Sequence, residues 1–562
     1  MSDSTAPAPA TSPWILGPAS DLLLFIATPL LIVPLAIGMQ HFATSQSIQY
    51  FVLAFGALGH NLPGMMRAYG DRALFDRFRT RFILAPILFG AMSYAFYSHH
   101  SNGIILIAAT WAIWHALMQI YGFLRIYGAK VGAVAPSSAW LDFAMCVTWF
   151  GGAAVFSDSR VYIIEELFTG LGVGPLSAAG LHTLRIVIAS LIGVVTLAYV
   201  VHQARQIRAG LPVSWLKNLL FVTSISFWWW AHVITADVLL GLILFEVFHD
   251  VQYLAIVWIF NRRRVESDPE VGGFTRFIFR NSWGMMAMYV ALCLAYGGII
   301  PLTQGLRLSE TGALWIATFI TTSALLHYYF DGFIWKVREK STRKSLGLRE
   351  DAGKTESIVS SHAAKWLLLL VPAALMWFST VTPANAAEEK ANKLANARAL
   401  AASTPGSRDA RFELGVALNE NGLHIESLPH LEAAVAILPD EEGETNLALA
   451  RLQAGKDLLR QQKPEQAQEL LRAAHAHRPD VADVCINEGL ELWKQKKLAE
   501  AIVEFRAALA MRPDYAVAHL NLALAYRDAG RKDLALQHAQ QGAARMPGDA
   551  KAQRLLRSLQ PR

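Results

Sequence analysis

Between about residue 20 and residue 384 the apolar side chains of this chain fall in runs, most of them about twenty residues long, separated by short basic or polar joints. A helix of that length crosses the ~30 Å hydrocarbon layer of a bilayer, where only helices and closed barrels satisfy their own backbone. After Glu388 the runs stop. The pattern predicts an all-α protein in three parts: a short disordered tail over 1–19, a polytopic membrane helix bundle over 20–384, and a soluble domain over 385–562. With 562 residues and 54% hydrophobic content, the chain is too apolar for an ordinary soluble protein. Its net charge of +6 does not speak for nucleic acid, because the basic residues cluster in the joints and leave no basic face. Cys146, Cys293 and Cys485 offer neither a disulfide framework nor a thiolate metal site.

Eleven spanning segments are expected, near 20–40, 47–69, 82–98, 102–127, 138–157, 181–204, 213–234, 236–261, 277–299, 312–336 and 363–383. Alternate joints carry 21 Lys and Arg residues on one side, against Arg160 and Arg307 on the other. This asymmetry places the basic joints and the amino terminus in the cytoplasm of a bacterium, and the carboxy-terminal domain in the periplasm. The opening MSDSTAPAPATSP lacks the basic start and apolar core of a signal peptide. The last span has a second reading: Lys365, an apolar core and Ala384-Asn385-Ala386 imitate a cleavage site whose use would release the tail.

Prolines at 405, 439, 479, 513 and 547 are spaced 34, 40, 34 and 34 residues apart. Gly489, Ala501, Phe505 and Ala508 in one unit, Leu522, Tyr526 and Ala535 in the next, and Leu414, Gly415 and Ala434 in the first occupy helix-packing positions. The tail therefore resembles a tetratricopeptide domain over about 390–562, with a six-residue insertion in its second full unit. That resemblance implies a stacked helical array that binds a protein or peptide partner.

His60, His115, His249 and His327 sit in four segments that run in the same direction, and they precede Arg67, Arg125, Arg262 and Lys336 by seven, ten, thirteen and nine residues. At 1.5 Å per residue they lie roughly 10–20 Å from the cytoplasmic boundary and can meet in one layer. Ionisable side chains at that depth are costly and point to a site. Helical spacing adds Glu246 and His249 as E-x-x-H, Gln119 after His115, Gln252 and Tyr253 after His249, and Asp331 after His327. Four imidazoles suit iron, with zinc or copper as alternatives. Glu246 and Asp331 are the candidate catalytic residues for proton movement, while Asp331 and Gln119 can orient the rings.

The surrounding GHNLPGMMRAYGDR, WHALMQIYGFLRIYG, FEVFHDVQYLAIVWIFNRRR and LHYYFDGFIWKVR are aromatic-rich and polar on one face. One histidine on each of four membrane helices is similar to the bacterial carotene-cleaving dioxygenases. That resemblance implies His60, His115, His249 and His327 as iron ligands and a lipophilic substrate. The expectation is a membrane oxygenase with a partner-binding tail. Two rivals stay open: a non-enzymatic scaffold or assembly factor in which the polar layer locks helices together, and a proton-coupled transporter using His249, Glu246 and Asp331. No H-E-x-x-H, no clustered histidine boxes and no true phosphate loop occur; GLREDAGKT at 347–355 has one residue too many.

Overall fold

The computed structural model describes residues 12–39, 41–42, 48, 52, 58–99, 103–169, 174–235, 237–267, 271–299, 303, 308–334 and 386–560. They form two compact units, Met1–Thr382 and Pro383–Arg562. Every regular element among the described residues is helical.

The first unit contains α1 (Pro18–Ile26), α2 (Thr28–Met39), α3 (Asn61–Gly70), α4 (Arg79–Ser98), α5 (Gly103–Lys130), α6 (Pro136–Phe156), α7 (Asp158–Thr169), α8 (Ala178–Arg208), α9 (Trp215–Trp229), α10 (Val238–Ser267), α11 (Trp283–Gly297) and α12 (Glu310–Ile334). Ahead of α1, the backbone amides of Ile15, Leu16 and Gly17 donate to the buried Asp21 carboxylate, which also accepts from the Tyr127 hydroxyl at 2.9 Å.

Among the described residues five helices, α4, α5, α6, α8 and α12, are long and apolar enough to cross a membrane; α1 and α2, bent by 54°, make a sixth if counted as one span. This corrects the expectation of about eleven spans. The 15 residues of α11 fall short, and α9 ends after 15 residues in a π turn over Trp230–Ile234. The long α10 carries Glu246, His249, Asp250, Gln252 and Asn261 in its interior, which dilutes its apolarity. Most of 47–57 and all of 363–383 lie outside the described residues, as do Ala384 and Asn385 of the cleavage motif.

Aromatic packing joins α4 to α12, with the rings of Phe82 and Phe330 4.9 Å apart. An ion triad joins three helices: buried Asp142 on α6 accepts from Arg125 on α5 at 2.9 Å and from Lys217 on α9 at 2.8 Å. Close approach is decided at Gly241 on α10. A Cβ there would lie 1.9 Å from the Ala231 carbonyl oxygen, so only glycine fits.

The second unit opens with α13 (Ala386–Ser403). Four antiparallel pairs follow: α14 (Arg408–Glu420) with α15 (His424–Ile437), α16 (Glu441–Arg460) with α17 (Pro464–His477), α18 (Val481–Lys494) with α19 (Leu498–Met511), and α20 (Ala516–Asp528) with α21 (Lys532–Arg545). The terminal helix is α22 (Ala550–Leu559). The first three pairs each close on one small-to-large contact. A Cβ on Gly415, Gly455 or Gly489 would sit 2.5, 2.6 or 2.5 Å from Leu431, Leu471 or Phe505, each sixteen residues further along the chain. The fourth pair has Ala523 and Ala539 at those positions, both buried.

The six-residue insertion lengthens one helix. From its glycine to its end α16 matches α14 and α18, but it reaches 20 residues by extending at its amino end. That end is stabilised by Asp440, whose carboxylate accepts from the Gly443 amide at 2.7 Å, and by Glu441, Glu442 and Glu444 in the positive first turn.

Candidate functional site

His60 lies at the amino end of α3, with His115 in mid-α5, His249 on α10 and His327 on α12. The fold brings all four rings together. Ring centroids are 4.6 Å apart for His60 and His327, 5.4 Å for His60 and His249, 5.1 Å for His115 and His249, and 4.6 Å for His115 and His327. The Nε2 atoms of His115 and His327 are 3.1 Å apart. His60, His249 and His327 are buried, and α3 comes this close because Gly64 faces the layer: a Cβ there would meet the Tyr253 hydroxyl at 3.0 Å and His327 Nδ1 at 3.5 Å.

The acidic companions have unequal places. Asp331 accepts a hydrogen bond from the Tyr253 hydroxyl at 2.9 Å and lies 4.0 Å from His115 and 3.9 Å from His327. Glu246, with its side chain one-third exposed, stands 3.9 Å from His60 Nδ1. Asp250 is nearer, with Oδ1 2.9 Å from the same nitrogen, and it is fully buried. Sequence reasoning missed Asp250, although its place four residues after Glu246 and beside His249 was the available signal. Gln119 donates to the His249 carbonyl at 2.9 Å and to Gln252 at 3.3 Å, while Gln252 donates to the Phe25 carbonyl at 2.7 Å. These amides bind helix to helix and do not hold rings.

Donor atoms within 4.8 Å of one another form overlapping groups: His60, His249 and His327; His60, Glu246, His249 and Asp250; and His115, His327 and Asp331. No single group holds all four imidazoles. At that spacing the four imidazoles expected as one ligand set fall into overlapping groups.

Models of the tetratricopeptide repeat match residues 389–442 and 492–559. The carboxy-terminal region is a tetratricopeptide repeat region. The matched stretches leave out 443–491, where α16 is lengthened. Among solved structures, the chain is similar to MamA from AMB-1 (25% identity, 31% of this chain and 91% of that one, TM-score 0.17). It is similar also to a thermophilic tetratricopeptide protein of Thermus thermophilus (22%, 31% and 92%, TM-score 0.16). A third is YrrB, a tetratricopeptide protein described as having an unusual peptide-binding site (16%, 34% and 97%, TM-score 0.18). No curated protein matches the chain.

These findings correct several expectations. The resemblance to carotene-cleaving dioxygenases does not hold: the family matches fall in the repeats. The iron-dependent oxygenase acting on a lipophilic substrate does not stand either. What the chain shares with known families is a protein-interaction repeat, and the histidines divide into overlapping groups. The iron cofactor and the oxidoreductase and metal-binding roles fall with it.

Proposed function

We propose that this chain is a membrane-anchored scaffold or assembly factor that captures a protein or peptide partner on its repeat array. The observation that carries the reading is the tetratricopeptide region itself, four helix pairs with family matches at both ends. Such arrays bind along an extended surface built by successive repeats. Asn487, Glu488, Glu491 and Leu492 of α18, with Gln495 just after its end, line one shallow, largely apolar groove of about 470 Å³ that includes two carboxylates. The long apolar helices support a multi-pass bacterial inner-membrane protein, and in this proposal the amino terminus is cytoplasmic and the repeats are periplasmic.

In this reading His60, His115, His249 and His327, with Glu246, Asp250 and Asp331, form a polar lock between α3, α5, α10 and α12. Hydrogen bonds among buried polar groups fix helix positions where lipid supplies no hydrophobic drive between spans.

Two experiments test the proposal. A photo-crosslinking residue placed at Asn487 or Val517 in living cells should capture one defined protein, whereas the same residue at Gln540 should not; random or absent adducts at all three would overturn it. For the lock, replacing His60, His115, His249 and His327 by alanine should lower the thermal stability of detergent-purified protein and leave its metal content unchanged. Stoichiometric metal lost in a variant that still folds would overturn the lock and make those histidines a ligand set.

A further inference from the structure

Apart from the histidine layer, the described residues of the membrane unit form a groove of about 710 Å³ between α6, α8 and α9. Its α8 wall is Thr196, Tyr199, Val200, Gln203, Ala204 and Ile207, and its α9 wall runs from Asn218 to Trp229. The spacing of three and four residues on both walls makes each a single helix face.

Most of the lining is apolar; Thr196, bonded to Trp149 Nε1 at 3.0 Å, and Ser226 lie toward one end, and a polar trio closes the other. There the Tyr199 hydroxyl donates to Asn218 Oδ1 at 2.7 Å, and Gln203 Nε2 lies 3.5 Å from the same oxygen. Following the α8 face one turn beyond Ala204 leads to Arg208, with Arg205 beside it, both exposed. Following the α9 face one turn back from Asn218 leads to Trp215, which is 68% exposed. A basic and aromatic rim at a helix end marks the polar edge of a bilayer. From Thr196 to Ile207 the groove descends about 16 Å, which is half of the ~30 Å hydrocarbon layer, one leaflet deep. The flank of α8 beside it shows Leu184, Val187, Leu191, Val194, Leu197 and Val201 to the outside, so the opening faces the side on which lipid would lie.

We infer that this groove binds one acyl chain of an anionic phospholipid, whose head group is held by Arg205 and Arg208. The argument for this occupant is the match of depth to one leaflet together with the charge at its rim; a span of a partner protein would have no use for two guanidinium groups at the edge. The inference rests on the membrane reading above and adds a specific lipid to it.

The membrane reading is checked first: alkaline carbonate should leave the chain in the pellet, and release into the supernatant would refute that reading before any lipid is added. Delipidated full-length protein in detergent is then titrated with phosphatidylglycerol or phosphatidylcholine of the same chains and weighed by native mass spectrometry. The expected result is one phosphatidylglycerol retained per chain, with a preference on the order of tenfold over phosphatidylcholine. Ala204→Trp should fill the groove and abolish retention at unchanged melting temperature. Because a bulky residue can also unfold a helix pair, a second variant carries the test: Arg205→Gln with Arg208→Gln, both exposed, should remove the preference and keep the fold. Equal retention of both lipids by the unaltered protein, or undiminished retention by a folded Ala204→Trp variant, overturns the inference. So does a change of oligomeric state in Ala204→Trp without loss of lipid, which would make the groove a helix-docking face.

Discussion

Replacing Lys456 by methionine keeps its aliphatic stem and deletes its charge, and the repeats should then lose about 3–5 kcal/mol, the cost of stranding a buried carboxylate. Lys456 is 3% exposed, with Nζ 2.7 Å from Glu504 on α19 and 2.9 Å from Glu488 on α18. Glu488 can turn to water, since it is half exposed, but Glu504 at 6% cannot. Burial already raises the Glu504 carboxyl above its ordinary value, with Lys456 pulling it back. Without the lysine it rises further. A carboxyl whose folded value is raised is relieved by protonation, so the Lys456→Met penalty should be full near pH 8 and shrink as pH falls toward 4.5, opposite to ordinary acid denaturation. For a domain of this size the loss corresponds to a melting shift of roughly 6–20 °C. The assay is urea and thermal unfolding of segment 386–562, which has its own core, followed by circular dichroism for Lys456→Met, Glu504→Gln and the pair. The double variant should recover most of the loss, a coupling of about 2–3 kcal/mol. Additive losses, or a single-variant cost below about 1 kcal/mol, would refute the reasoning.

Gly489→Ala places a methyl 2.5 Å from the Phe505 ring and should cost about 1–3 kcal/mol in the same unfolding assay, with Phe505→Leu as a second-site rescue. The His538 imidazole is lowered to about 4, by burial first and then by His519 and Arg506. Its folded value lies below its unfolded one, so the contribution of the neutral ring is present above pH 6.5 and fades as pH drops toward 4. Discounted for partial exposure, this amounts to about 1–2 kcal/mol, and His538→Gln should flatten the slope of stability against pH in that window. In the membrane unit Gly241→Ala, which meets a backbone oxygen, should abolish accumulation of folded protein, whereas Gly193→Ala, with open space around it, should accumulate normally by fluorescence-detected size exclusion.

The repeats were legible because their spacing is local: prolines mostly 34 residues apart, with small and aromatic residues at packing positions between them, state the helix pairs directly. Even the insertion was visible as a spacing of 40, although only the coordinates tell that it lengthens α16 at its amino end. The histidine layer was legible by depth, since residues at similar distances from the basic joints had to lie at one level, and the rings do meet. The donor groupings were not, because they depend on helix rotation, which no period along one helix sets. Asp250 was overlooked for the same reason: beside His249 it reads as the next residue, whereas the rotation of α10 turns it toward His60. Arg125 marks a boundary in the sequence, yet it is one member of an ion triad with Lys217 and Asp142, the last a partner seventeen residues away that hydropathy hides inside an apolar run. The number of spans was overestimated because apolarity alone does not measure how long a helix stays unbroken.

A solenoid of equal steps has a weakness as a receptor, since an extended ligand can shift by one repeat and find nearly the same surface. The six added residues lengthen α16 by about 9 Å and bring Glu441, Glu442 and Glu444 into its first turn, with Gly443 buried and Glu444 3.4 Å from His477. They give the array an origin. On the proposed reading, a partner lying along the array meets one step unlike the others, and trimming α16 by six residues should let it bind in more than one register.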